Sequence, residues 1–212
     1  MKSKTFEETQ KAKKKQIEPL FPYGDWITIV AGVIILSKTD GMGHHLGHAG
    51  IFLLMLALIA RPMSFCWKQP LKKRRTIGIF AFAAILAHAI YAFDRILNGN
   101  WKTILNMSLQ HQWGMWTGII ALMAITPAAV TSFKFFQKKL GNRWRQIHLL
   151  SVPALAIATM HVVLIGPHYM AHLQVDAINH LRTYIIAIAT LLVFLMRQQV
   201  FWSVLKFKKT IK

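Results

Sequence analysis

Cysteine and acidic side chains are what this chain has least of. Its single cysteine, Cys66, permits no internal disulfide, and a four-cysteine zinc or iron–sulfur site cannot be assembled within one chain. The absence of a C-x-x-C-H motif means covalent c-type haem attachment is not expected. Aspartate and glutamate number 7 in 212 residues, and charged residues of all kinds make up 16%, where a soluble domain carries about a quarter. No G-x-G-x-x-G fingerprint and no long polar stretch accommodate a dinucleotide-binding domain. Met1 to Glu18 is polar and lysine-rich without the apolar core of a signal peptide, and reads as a cytoplasmic tail.

What fills the chain instead is apolar: hydrophobic residues make up 54%. The net charge of +19 would suit a nucleic-acid partner if it lined one face of a soluble fold. The lysines and arginines sit in short clusters between long apolar runs, which suits anionic headgroups and argues against nucleic acid. A bilayer core is spanned by about 20 mostly apolar residues, and six runs qualify. They are approximately Leu20 to Ser37, Leu46 to Phe65, Thr76 to Phe93, Gln112 to Phe133, Ile147 to Gly166 and Leu181 to Met196. The expected fold is an all-α integral membrane protein, a bundle of about six transmembrane helices.

Orientation follows from the loops. Of the 26 lysines and arginines, 22 fall in the N-terminal tail, the second and fourth loops and the C-terminal end, and only Lys38, Arg95, Lys102 and Arg182 fall on the other side. The crowded side is cytoplasmic by the positive-inside rule, which puts both termini in the cytoplasm. The chain then divides into a basic tail (1–18), one membrane domain (19–196) and a basic cytoplasmic or interfacial tail (197–212). No tandem repeat is evident.

Ten histidines in so apolar a chain are the chemical signal. His88 lies 12 residues into the third run and His161 lies 14 residues into the fifth. Both runs lead from cytoplasm to outside, so at 1.5 Å per residue both imidazoles lie about 18–21 Å from the cytoplasmic edge. Ionisable groups inside a bilayer are functional candidates, and two imidazoles at one depth on two helices suit the axial positions of a b-type haem held between the third and fifth helices. The bland alternative is a pair of hydrogen-bonded core histidines.

His148, at the cytoplasmic start of the fifth run, stands 13 residues before His161. An ideal helix separates the two side chains by roughly 140°, although Pro153 between them can kink it. His148 is open to several roles: ligand of a second haem, contact to a propionate or quinone, or an interfacial polar anchor. Arg74, Arg75, Arg143 and Arg145 set topology and could also meet propionates, a flavin phosphate or a cytoplasmic partner. Trp113, Met115 and Trp116 read as an interface belt. The outer histidines His44, His45, His48, His111, His168, His172 and His180 include metal-compatible spacings, yet no carboxylate or cysteine cluster joins them, and a solvated-loop reading competes.

Particular stretches resemble the ferric reductase-like transmembrane family. They are Leu46-Gly47-His48-Ala49-Gly50 leading to Ile59-Ala60-Arg61-Pro62, then Lys68-Gln69-Pro70, then Arg74-Arg75 with Gly78 ten residues before His88. The most specific is Lys139-Leu140-Gly141-Asn142-Arg143-Trp144-Arg145-Gln146-Ile147-His148, followed by His161. Within that family the chain is most similar to the haem-binding membrane subunits of bacterial methionine sulfoxide reductase systems. The resemblance runs from His44 to Gly166, and departs at His48, where relatives tend to carry arginine.

The resemblance implies that His88, His148 and His161 are haem ligands, with one haem b expected, a second open, and FMN or quinone as further candidates. It also implies an electron-transfer subunit of the bacterial inner membrane. Membrane quinol or a separate cytoplasmic flavoprotein would be the donor, and a periplasmic oxidoreductase the acceptor. A ferric-chelate reductase component is the nearest alternative. A non-redox metal transporter or sensor using the outer histidines is disfavoured by the lack of acidic residues along the inner half of the later helices.

Overall fold

In hydrocarbon every backbone N–H and C=O must find a partner within the chain, so long apolar runs become helices. The computed structural model describes residues 42–65, 68–166 and 177–198, and among these every regular element is helical, with no strand. The α-helices are α1 (Met42–Ile59), α2 (Lys68–Lys72), α3 (Arg74–Tyr91), α4 (Leu109–Val130), α5 (Lys134–Leu140), α6 (Asn142–Leu149), α7 (Ser151–Ile165) and α8 (Ala177–Arg197).

Among the described residues, four segments are long and apolar enough to cross a membrane: Arg74–Ile96, Leu109–Val130, Asn142–Ile165 and His180–Arg197. The second expected run appears as α1, whose apolar part, His45–Ile59, is shorter. The first expected run, the N-terminal tail, most of the C-terminal tail and His168 and His172 lie outside the described residues. Large apolar side chains such as Phe52, Phe80, Met123 and Leu191 are exposed along the helices. Water would penalise that surface at about 25 cal/mol per Å², and a lipid environment does not.

Two antiparallel hairpins organise the bundle. In the first, the start of α1 meets the end of α3, where Gly43 lies against Tyr91, and the end of α1 meets the start of α3, where Arg74 Nε donates to Ala57 O at 2.9 Å. In the second, Gly114 near the start of α4 lies against Ile165 at the end of α7, and Trp144 Nε1 on α6 donates to Thr131 O just past α4 at 2.9 Å. Helix α8 packs on α7 through Thr159 and Thr190, and Arg197 Nη1 reaches Leu58 O of α1 at 3.2 Å. The core where the hairpins meet includes Leu54, Leu58, Ala81, Ile125, Leu155 and Val193.

Local breaks have local causes. Pro153 has no N–H to return to Leu149 O, and the span tightens at that point, with Leu150 N donating to Ile147 O at 3.1 Å. The turn between α5 and α6 passes through Gly141 at φ 51° and ψ −121°, a conformation open to glycine and few others.

Candidate haem-ligand site

His88 sits in the last turns of α3, and its Nδ1 lies 2.6 Å from the carbonyl oxygen of Gly43 on α1. A carbonyl can only accept, so Nδ1 carries the proton and Nε2 keeps the lone pair. One helical turn along α1, Gly47 also faces the ring: a Cβ there would lie 3.1 Å from His88 Nδ1. The second hairpin repeats this arrangement. His161 on α7 donates from Nδ1 to Gly114 O on α4 at 2.7 Å, and a Cβ on Gly118 would lie 2.7 Å from the same nitrogen.

The two hairpins bring these rings together. The ring centroids of His88 and His161 are 6.2 Å apart, with an interplanar angle of 74°. An imidazole nitrogen bonds a metal at about 2 Å and the ring centre lies roughly 1 Å behind it, so two axial imidazoles on one iron have centres about 6 Å apart. The donor set fits a haem iron: two imidazoles, each with its outer nitrogen committed to a backbone carbonyl and its other nitrogen available as a ligand.

His148 is not part of this pair. It lies at the N-terminal end of the same span, 13 residues or about 20 Å along the helix from His161. Its ring contacts Trp144 at a centroid distance of 4.2 Å, and its Nε2 is buried without a hydrogen-bond partner among the described residues. Arg74 and Arg75 are its charged neighbours. Near the start of α4, Trp113 and Trp116 are exposed, as interface residues are. No group of three or more potential metal-ligating His, Cys, Asp or Glu residues occurs among the described residues.

The glycines are the residues that the sequence reading missed. Gly43-x-x-x-Gly47 and Gly114-x-x-x-Gly118 were legible as two small-residue spacings on neighbouring apolar runs. Their register against the histidines, 45 residues from Gly43 to His88 and 47 from Gly114 to His161, makes the repeat one of geometry with little sequence likeness.

The family described as ferric reductase like transmembrane component matches residues 46–159, more than half of the chain, and this protein belongs to it. Among individual proteins, it is similar to the protein-methionine-sulfoxide reductase heme-binding subunit MsrQ of Rhodospirillum rubrum, with 29% identity over 149 residues, 69% of this chain and 70% of the relative. The MsrQ subunits of Cronobacter sakazakii (28% over 141 residues, 64% and 70%) and Caulobacter vibrioides (29% over 142 residues, 64% and 65%) are similar to it as well. No solved structure matches the chain.

Proposed function

We propose that this protein is a b-type cytochrome subunit that passes electrons through the membrane to an acceptor outside the cytoplasm. One observation carries the reading: His88 and His161 lie 6.2 Å apart, each with Nδ1 bound to a glycine carbonyl. Membership of the ferric reductase-like family and similarity to MsrQ heme-binding subunits support a membrane haem electron-transfer role. His88 and His161 would hold the haem, which when bound would supply one-electron iron chemistry.

The chain's own residues hold and insulate the site. His88 comes from one hairpin and His161 from the other, so the pocket lies where the third and fifth expected helices face each other. His148, with its unsatisfied Nε2 beside Trp144, Arg74 and Arg75, is the cofactor contact of the cytoplasmic side, for a second haem, a flavin or a quinone. The 22-to-4 split of basic residues supports cytoplasmic termini for the six-helix domain spanning 19–196. Quinol or a separate flavoprotein is the donor, and a periplasmic methionine sulfoxide reductase is the acceptor that the similarity favours.

The test is a dithionite-reduced minus oxidised spectrum of detergent-purified protein with a pyridine haemochrome count, alongside His88→Ala and His161→Ala. A b-type spectrum in the wild type is expected, with the same one haem lost in both variants. A haem count near two that drops to one in His148→Ala would assign the second group. A colourless wild type, folded and made with ample haem supply, would overturn the proposal.

A further inference from the structure

The two hairpins solve one problem twice. In each, the ligand histidine sits on the second helix, and a pair of glycines four residues apart sits on the first. Residues i and i+4 share a helix face, and every Cα–Cβ bond tilts toward the helix N-terminus. A side chain on Gly47 would therefore lean back over the carbonyl of Gly43, and one on Gly118 over the carbonyl of Gly114. These are the two carbonyls that accept the imidazole protons. Each has a second lone pair, so it can receive the imidazole N–H and remain in its own helix ladder.

We propose that Gly43-x-x-x-Gly47 and Gly114-x-x-x-Gly118 are paired positioning elements for the axial imidazoles, setting the orientation and donor strength of His88 and His161. The inference rests on the haem-ligand reading above and deepens it. The first glycine of each pair supplies the acceptor that fixes the tautomer and makes the ligand nitrogen a stronger donor. The second leaves open the space that the ring occupies. Because the two cradles belong to different hairpins, they hold the ring planes 74° apart, close to perpendicular. A ferric haem with nearly perpendicular imidazoles is expected to show a strongly anisotropic low-spin EPR signal.

The glycines grade the test by themselves. A Cβ at Gly118 would stand 2.7 Å from His161 Nδ1 and 2.9 Å from Cε1, too close for the ring to stay where its hydrogen bond needs it. A Cβ at Gly47 would stand 3.1 Å from His88 Nδ1, which a shift of a few tenths of an ångström relieves. A Cβ at Gly78, on the helix that carries His88, meets nothing within 4 Å. Losing the Nδ1–H bond weakens the ligand as a donor to ferric iron and so raises the reduction potential.

Gly118→Ala, Gly47→Ala and Gly78→Ala would each be purified with haem, titrated for midpoint potential and examined by EPR. The haem followed is the one lost in His88→Ala. The expected order is no change in Gly78→Ala, a small positive shift in Gly47→Ala and a larger one in Gly118→Ala, with the low-spin signal moving in the same order. Wild-type potential and EPR in a haem-loaded Gly118→Ala would overturn the proposal. If that variant fails to fold or to load haem, Gly47→Ala decides, and an unchanged potential and signal there would overturn it equally. Retention of the full wild-type haem content in His88→Ala and His161→Ala would instead sink the haem-ligand reading, a result distinct from silent glycine variants beside histidine variants that have lost that haem.

Discussion

Thr159 on α7 and Thr190 on α8 are joined by a side-chain hydrogen bond at 2.8 Å, and Thr190 is only 3% exposed. Each hydroxyl also lies at donor distance from a carbonyl one turn back in its own helix: Thr159 to Leu155 O at 2.9 Å and Thr190 to Ile186 O at 2.9 Å. Three contacts therefore compete for two hydrogens, since a hydroxyl donates once. Whichever threonine donates across the interface releases its own back-bond, and the net worth of the link is small.

A double-mutant cycle of Thr159→Val and Thr190→Val is accordingly expected to give a coupling energy near the membrane-protein average of about 0.6 kcal/mol, and below about 1.7 kcal/mol. In equilibrium terms that is a factor of about 3, and at most about 18. Valine keeps the shape, and the partner hydroxyl retains its helical carbonyl, so neither single variant leaves an orphaned polar group. The assay is reversible unfolding in mixed micelles, with all four proteins compared at one detergent composition. A coupling indistinguishable from zero would mean that the released back-bond offsets the interhelical bond in full. A coupling above about 2 kcal/mol would refute the sharing argument, because it requires a bond that displaces nothing.

Two other consequences are open to direct measurement. Gly141→Ala, at φ 51° and ψ −121°, is expected to cost about 1–3 kcal/mol in the same unfolding assay; wild-type stability would show that this turn relaxes to an ordinary conformation. In a Cys66→Ser background, single cysteines at Asn98 and at Arg143 are expected to react with an impermeant thiol reagent from opposite sides, Asn98 from outside and Arg143 from the cytoplasm. Labelling of both from one side would refute the orientation derived from the basic residues.

Much of this protein was legible before any coordinate. The apolar runs that became α3, α4, the span of α6 with α7, and α8 were marked by length and by the want of charge, because a bilayer imposes both. His88 and His161 stood out because an ionisable group costs free energy at that depth, and counting residues from the basic clusters put the two at one level. The stretch from Lys139 to His148 marked the family, and the match over residues 46–159 bears that out.

What the chain alone did not reveal was rotation. Exposed and buried positions along these helices are both apolar, as Phe80 and Ile79 are on α3, so no hydrophobic stripe announces which face turns inward. Sequence could place His88 and His161 at a depth, but only packing could bring their rings to 6.2 Å of each other. That approach depends on contacts far apart in the chain: the carbonyls of Gly43 and Gly114, and the missing side chains of Gly47 and Gly118, which let neighbouring backbones come close enough to accept the imidazole protons. Composition and spacing determined that the chain enters a membrane and which histidines lie deep within it. The tertiary structure decided which backbone atoms orient them, because orientation within a uniformly apolar helix is settled by its neighbours.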